Sequence, residues 1–399
     1  MRRTLSRRVL VAAVLMATVS TPVAVAPATA VRTVAADRYQ QDDCPPDGLG
    51  PELTARLDKA VEDVRRQAGI PGVIAGLWMP GRGSYVRATG VADTVTGEPM
   101  TTDLFMRIGS ETKTFTVTAL LRLVDDHRIG LDDPISDYVD GVPGGEGITL
   151  RQLAEMRSGL FPYSSDPDFV QALEGDPSRT FTPQELLAYG FRHGSTSAPG
   201  EVFQYSNSNL VLLGLVVEKV SGLRLADFVR RQVLRPARLR HTLFPAGAEF
   251  PAPHARGYSD ETPSGEITDA TDWNLSWAWA AGAMISDLPD LRRWAEIVAT
   301  GTLLRPETQA ERLKTLPTGF PGTSYGLGIF ETGGWIGHNG SLPGYESVTV
   351  HLPAQKATLV LLINTDVRSQ GQEPSTLLAR AITEIVTPDN VYDRPVPPR

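Results

Sequence analysis

Leu53, Leu57, Val61 and Val64 fall at spacings of four, four and three, which lays one apolar stripe along a helix that Gly69 is placed to end. The period then changes. Val73 to Met79 is a continuous apolar run and Tyr85 to Ala88 a second β-prone stretch, joined by Pro80-Gly81-Arg82-Gly83, a pattern that predicts a hairpin. Matching pieces lie at the far end. Ser347–Leu352 and Thr358–Ile363 predict two strands, and Leu377, Leu378, Ala381, Ile382 and Ile385 mark the buried face of a closing helix. Strands at both ends with helical periodicity between them predict an α/β (α+β type) fold. The N- and C-terminal segments build one antiparallel sheet flanked by helices, with a mainly helical subdomain inserted. No internal repeat is visible.

One segment carries conflicting signals. Thr112, Thr114, Thr116 and Thr118 alternate as in a strand, and threonine is β-branched. Ala119, Leu120, Leu123 and Val124 continue at helical spacing up to Gly130, so a helix is expected. Propensity opposed to the structure a segment needs is typical of functional sites.

The first thirty residues are expected to be a signal peptide rather than part of the fold. Basic residues precede an apolar run from Val9 to Val19, and Ala28-Thr29-Ala30 offers a small-x-small cleavage site. Ser6-Arg7-Arg8 leaves twin-arginine and ordinary secretory export both open. Residues 31–50 then form a linker, 51–388 the catalytic unit and 389–399 a polar, proline-rich tail with no anchor. The sole cysteine, Cys44, cannot form an internal disulfide. Net charge is −8, and removing the leader's four arginines, Arg2, Arg3, Arg7 and Arg8, takes it to −12, which disfavours nucleic acid and anionic membrane as partners. A secreted monomer without cofactor is expected. His127, His193, His241, His254 and His351 show no metal-ligand spacing.

Ser110 and Lys113 put a hydroxyl and an amine three residues apart, on one face of the expected helix. An amine held there can go neutral and take the serine's proton, or stay charged and help a neighbouring base do so; arginine could not do the first. The chain has only five lysines among its 38 basic residues, so this Ser-x-x-Lys uses a scarce residue. Tyr205-Ser206-Asn207 is the only Tyr-x-Asn and His338-Asn339-Gly340 the only His-x-Gly. Taken alone, Tyr205 and Asn207 equally suit a turn ahead of the helix carrying Leu212, Leu213, Val216 and Val217, and His338 a turn histidine. The order Ser-x-x-Lys, Tyr-x-Asn, basic-x-Gly is that of the serine penicillin-recognising enzymes. Phe105 to Lys113, Ala198-Pro199-Gly200 ahead of Tyr205-Ser206-Asn207, and Gly337 to Gly340 resemble the secreted D-alanyl-D-alanine carboxypeptidases related to class C β-lactamases, and esterases of the same superfamily. The resemblance spans roughly residues 50 to 388.

That resemblance implies a β-lactamase/transpeptidase-like fold and an acyl-enzyme on Ser110, with Lys113 and Tyr205 sharing proton transfer. Which of the two is the base stays open. It further implies an oxyanion hole from the backbone N–H groups of Ser110 and Ser341, Asn207 as a donor to substrate or an orienter of Lys113, and His338 bonded to Tyr205 or the leaving group. Asn339, Gly340, Phe330 and Trp277 are the expected substrate contacts, although a tryptophan is as often core. Two departures bear on substrate. Gly328-Ile329-Phe330-Glu331 stands where carboxypeptidases carry an arginine for the substrate carboxylate, and Asn339 replaces the usual threonine. The expected function is an exported D-alanyl-D-alanine carboxypeptidase-like hydrolase acting on a small peptide, with a secreted esterase, a penicillin-binding sensor and a β-lactamase as successive alternatives.

Overall fold

The computed structural model describes residues 48–394. The expected signal peptide, most of the linker and Cys44 lie outside the described residues.

The two chain ends do meet in one antiparallel sheet of eight strands among the described residues. Its order is Gly83–Gly90, Gly72–Met79, Ala357–Ile363, Tyr345–Leu352, Trp335–Leu342, Phe330–Thr332, Thr323–Tyr325 and Leu316–Pro317. The hairpin predicted around Gly81 pairs Met79 with Gly83 and Val73 with Thr89. Val73 also pairs with Ile363 across the junction between the two halves of the chain.

Continuous apolar runs need cover on both sheet faces, and here they have it. Val73, Ala75, Leu77, Leu359, Leu361 and Ile363 pack with Leu57 and Val61 of the Pro51–Gln67 helix and with Leu378 and Ile382 of the Pro374–Val386 helix. The alternate residues Ile74, Trp78, Val360 and Leu362 face the larger core, which holds Phe115, Trp294 and the helical middle region. Residues 389–394, expected as tail, instead pack onto the fold. Tyr392 is buried, the Trp335 indole donates to the Asn390 carbonyl at 2.7 Å, and Thr332 Oγ1 donates to the Asp393 carbonyl at 2.8 Å.

The threonine-rich segment forms a helix, Thr112–Asp125, in which only Arg122 and Val124 are partly exposed. Residues four apart share a face, so the alternation supplies hydroxyls to opposite sides of a fully covered helix. Thr116 donates to the Ala280 carbonyl at 2.7 Å, and Thr112 accepts from the Met284 amide at 3.0 Å. On the other side Thr114 accepts from the Trp294 indole at 2.7 Å, and Thr118 accepts from buried Arg312 at 2.9 Å. Buried hydroxyls with partners stabilise the packing that isolated propensity opposes.

Candidate active site

Ser110 lies in the single turn Gly109–Glu111 that leads into the Thr112–Asp125 helix. Gly109 has φ +51°, and a Cβ on it would sit 2.9 Å from the Ser341 nitrogen. Gly340 is as constrained, since a Cβ there would meet the Ile108 carbonyl oxygen at 2.0 Å. These two glycines let the Trp335–Leu342 strand press against the serine turn, bringing the backbone of Ser341 beside that of Ser110. Gly340 therefore serves close backbone approach rather than substrate contact. Gly340→Ala is expected to destabilise the protein by about 3 kcal/mol, read from the urea midpoint, because neither backbone can yield without parting the site.

A 2.9 Å hydrogen bond joins Lys113 Nζ to Ser110 Oγ, and Nζ also donates to the Ala281 carbonyl at 2.8 Å. Lys113 is 0% exposed with no carboxylate bonded to it, and burial holds its amine well below the usual lysine range. The Tyr205 ring lies 4.8 Å from that nitrogen, and its hydroxyl has Ser110 as hydrogen-bond partner. Burial raises the Tyr205 phenol above its ordinary value, more than the Ser110 bond and the Arg394 charge lower it. Tyr205 precedes the Asn207–Ser221 helix, so the turn and catalytic readings of this tripeptide coincide. The tripeptide is fastened by the Gln204 amide bonding the Met156 carbonyl at 2.8 Å, and by Ser208, which accepts from the Tyr163 amide at 3.0 Å.

Asn207 Nδ2 donates to Ser164 Oγ at 3.2 Å, while its Oδ1 is buried without a partner. No bond joins Asn207 to Lys113, whose partners are Ser110 and Ala281. His338 is turned away from both sequence-based partners. Its Nδ1–H donates to the Asn339 carbonyl at 2.5 Å, so Nε2 accepts from the Tyr325 hydroxyl at 3.2 Å, and its ring centroid stands 6.2 Å from that of Tyr205. Burial, reinforced by Lys113, holds His338 well below the usual histidine range.

A cavity of about 530 Å³ opens over Ser110, lined by Tyr205, Asn207, Phe330, Asn339 and Ser341 among others. Trp277 is not part of that lining. Its ring packs 6.2 Å from Phe169, its carbonyl accepts from Tyr163 at 2.6 Å, and it sits half-buried against the core. Asn339 turns its amide to Glu373 at 3.1 Å. Three charged lining residues escaped the sequence reading: Arg368, Glu373 and Arg394. None has a motif, and Arg394 was hidden in an apparent tail, where only Val391-Tyr392 interrupts the polar run as a sign of packing. Glu111, beside the serine, was also missed. Among the described residues no group of His, Cys, Asp or Glu is arranged to hold a metal, and no helix is long and apolar enough to cross a membrane.

In sequence the chain is 27% identical over 338 residues to the D-aminopeptidase of Cereibacter sphaeroides, covering 82% of this chain. It spans 63% of that longer relative. Among solved structures, a D-stereospecific amidohydrolase from Streptomyces sp. matches with TM-score 0.73 and 30% identity over 83% of this chain and 97% of its own. The D-amino acid amidase from Ochrobactrum anthropi SV3 matches with TM-score 0.75 and 28% identity over 84% and 97% respectively. With the beta-lactamase family model matched across residues 57–383, from the first helix to the last and through all three motifs, the chain belongs to the beta-lactamase family.

Proposed function

We propose that this chain is an exported serine hydrolase that works through an acyl-enzyme on Ser110 and cleaves amide bonds of D-amino-acid derivatives, peptides ending in D-alanyl-D-alanine among them. The observation that carries the proposal is the 2.9 Å bond between Ser110 Oγ and a fully buried amine, which burial shifts toward its neutral form. A neutral Lys113 accepts the serine proton as Oγ attacks the carbonyl carbon. The backbone N–H groups of Ser110 and Ser341 receive the developing oxyanion, where one such donor is typically worth about 3 kcal/mol. Burial keeps the Tyr205 phenol protonated, which suits it to pass a proton to the leaving amine rather than to act as the base. Asn207 Oδ1, lacking a protein partner, suits a substrate N–H. His338 holds Tyr325 and the strand beneath, a positioning role. Water then attacks the acyl-enzyme by the reverse proton path. The D-amino-acid preference follows the named activities of the relatives above, and export follows the leader at residues 1–30.

The test is an adduct mass with a fluorescent penicillin, beside turnover of D-phenylalaninamide and its L-enantiomer, a D-alanyl-D-alanine peptide and a short-chain aryl ester. The expected result is labelling lost in Ser110→Ala, with the D-amide or D-peptide hydrolysed faster than the L-amide. Turnover of the ester alone would identify a carboxylesterase. Unaltered mass with every reagent and no turnover would leave a non-catalytic sensor.

A further inference from the structure

The turn that receives the Lys113 amine is held in a conformation its first residue disfavours. Trp279–Gly282 forms a single helical turn whose carbonyls reach the Thr112–Asp125 helix: Ala280 accepts from Thr116 at 2.7 Å and Ala281 from Lys113 Nζ at 2.8 Å. Trp279 opens that turn with φ +31°, which a bulky side chain adopts only where its surroundings impose it. The half-buried indole lies against Gly214, at the middle of the Asn207–Ser221 helix. A Cβ on Gly214 would sit 2.9 and 3.0 Å from two carbons of the indole and 2.8 Å from Ala280 Cβ. Glycine inside a helix is itself destabilising. Two locally unfavourable choices thus meet at one contact, as at sites where function outranks local preference.

That contact links both helices of the candidate site. The Asn207–Ser221 helix directly follows Tyr205-Ser206, and the Thr112–Asp125 helix carries Lys113. At its other end the turn passes the serine, since a Cβ on Gly282 would come 3.7 Å from the Gly109 carbonyl carbon. A neutral amine has two N–H bonds and one lone pair. Giving one N–H to Ala281 orients the lone pair toward Ser110 Oγ, 2.9 Å from the same nitrogen.

We propose that Trp279 is a positioning residue for acylation: its indole, seated on Gly214, holds the Ala281 carbonyl on Lys113 and so sets the direction in which the amine meets Ser110. This rests on the hydrolase reading above and deepens it by naming what aims the base. The indole also borders a cavity of about 410 Å³ lined by Leu225, Leu234 and Phe244, which gives it room to move when its seat is altered.

The test measures the rate of Ser110 acylation by the fluorescent penicillin, with turnover of the fastest of the substrates above, in three variants. Gly214→Ala and Trp279→Gly are each expected to lower kcat and the acylation rate by roughly a hundredfold with KM within about threefold of wild type, since a misaimed amine impairs chemistry rather than binding. Trp279→Phe keeps an aromatic seat and is expected to recover most of the loss. In the two impaired variants the acid limb of the kcat/KM profile is expected to move to lower pH, because losing a carbonyl acceptor disfavours the charged amine. A lowered urea midpoint with wild-type acylation and an unmoved acid limb in the folded protein would mean a structural role only and overturn the proposal. If Trp279→Gly does not fold, Gly214→Ala decides by the same readouts. Wild-type protein that gives neither adduct nor turnover would overturn the hydrolase reading and this role together, whereas an active wild type with unimpaired variants would overturn the positioning role alone.

Discussion

Lys113→Met is expected to lower kcat/KM by about a thousandfold or more while leaving the protein at least as stable at neutral pH. Methionine matches the length and apolar surroundings of the stem but removes the amine that takes the serine proton, and general-base assistance of this kind contributes about 10² to 10⁴ in rate. The stability half follows from linkage. Burial holds the folded amine well below the range of an exposed lysine. Between the folded and unfolded values unfolding takes up a proton, and the resulting destabilisation fades as pH rises toward the unfolded value. Removing the amine removes that pH-dependent term. Steady-state kinetics on the best substrate and urea unfolding at pH 7 and 9 check both halves. A variant with near-normal kcat/KM would exclude Lys113 as the base.

Glu111→Gln is expected to stabilise the protein by about 4 kcal/mol at pH 7.5 and by little near pH 4.5. Glu111 follows the nucleophile and is 1% exposed. It lines a small void with His338, Thr349 and Trp294, and burial outweighs the Ser347 and Thr349 hydroxyls that favour its ionised form. Burial pushes its carboxyl up to about 8 from 4.5. Below pH 4.5 the group is neutral in both states. Between 4.5 and 8 it is neutral only when folded, so unfolding releases a proton and each pH unit lowers stability by about 1.4 kcal/mol. Above 8 the loss is complete. Glutamine keeps the shape without the ionisation. Unfolding free energies of the two proteins measured from pH 4.5 to 8.5 should diverge with rising pH. Parallel curves would mean that the carboxyl is solvated or paired in solution.

The fold was legible where period and punctuation agree. The stripe from Leu53 to Val64, the Gly81 hairpin and the two last strands are local patterns, and the structure bears each of them out as an element. The union of the two ends in one sheet followed from strands standing at both ends of the chain with helical periodicity between them. The candidate site was legible because Ser110, Lys113 and Tyr205 lie in short motifs, and the fold brings these three side chains together, Ser110 and Tyr205 in the lining of one cavity and Lys113 buried behind them. What stayed hidden depends on long-range geometry. Arg394 lies in a stretch whose prolines suggest a tail, and its place is fixed by the bonds of its neighbours to Thr332, Trp335 and Thr383 and by its own to Glu373. Trp277 flanks the core outside the cavity lining because Phe169 and Tyr163 hold it, residues more than a hundred positions upstream. His338 could not be oriented from sequence because its ring partner, Tyr325, belongs to no motif.

The pairing of Gly72–Met79 with Ala357–Ile363 also constrains the order in which the chain can become itself. On the ribosome the first hairpin emerges with one edge finished and the other, lined by Val73 through Trp78, without its neighbour until nearly the whole chain has been made. Such an edge invites association with other chains, and contacts this distant in sequence form slowly. Until residue 363 is released the nascent polypeptide is an unfinished sheet that must be shielded, and completing the catalytic unit is the same event as closing that gap.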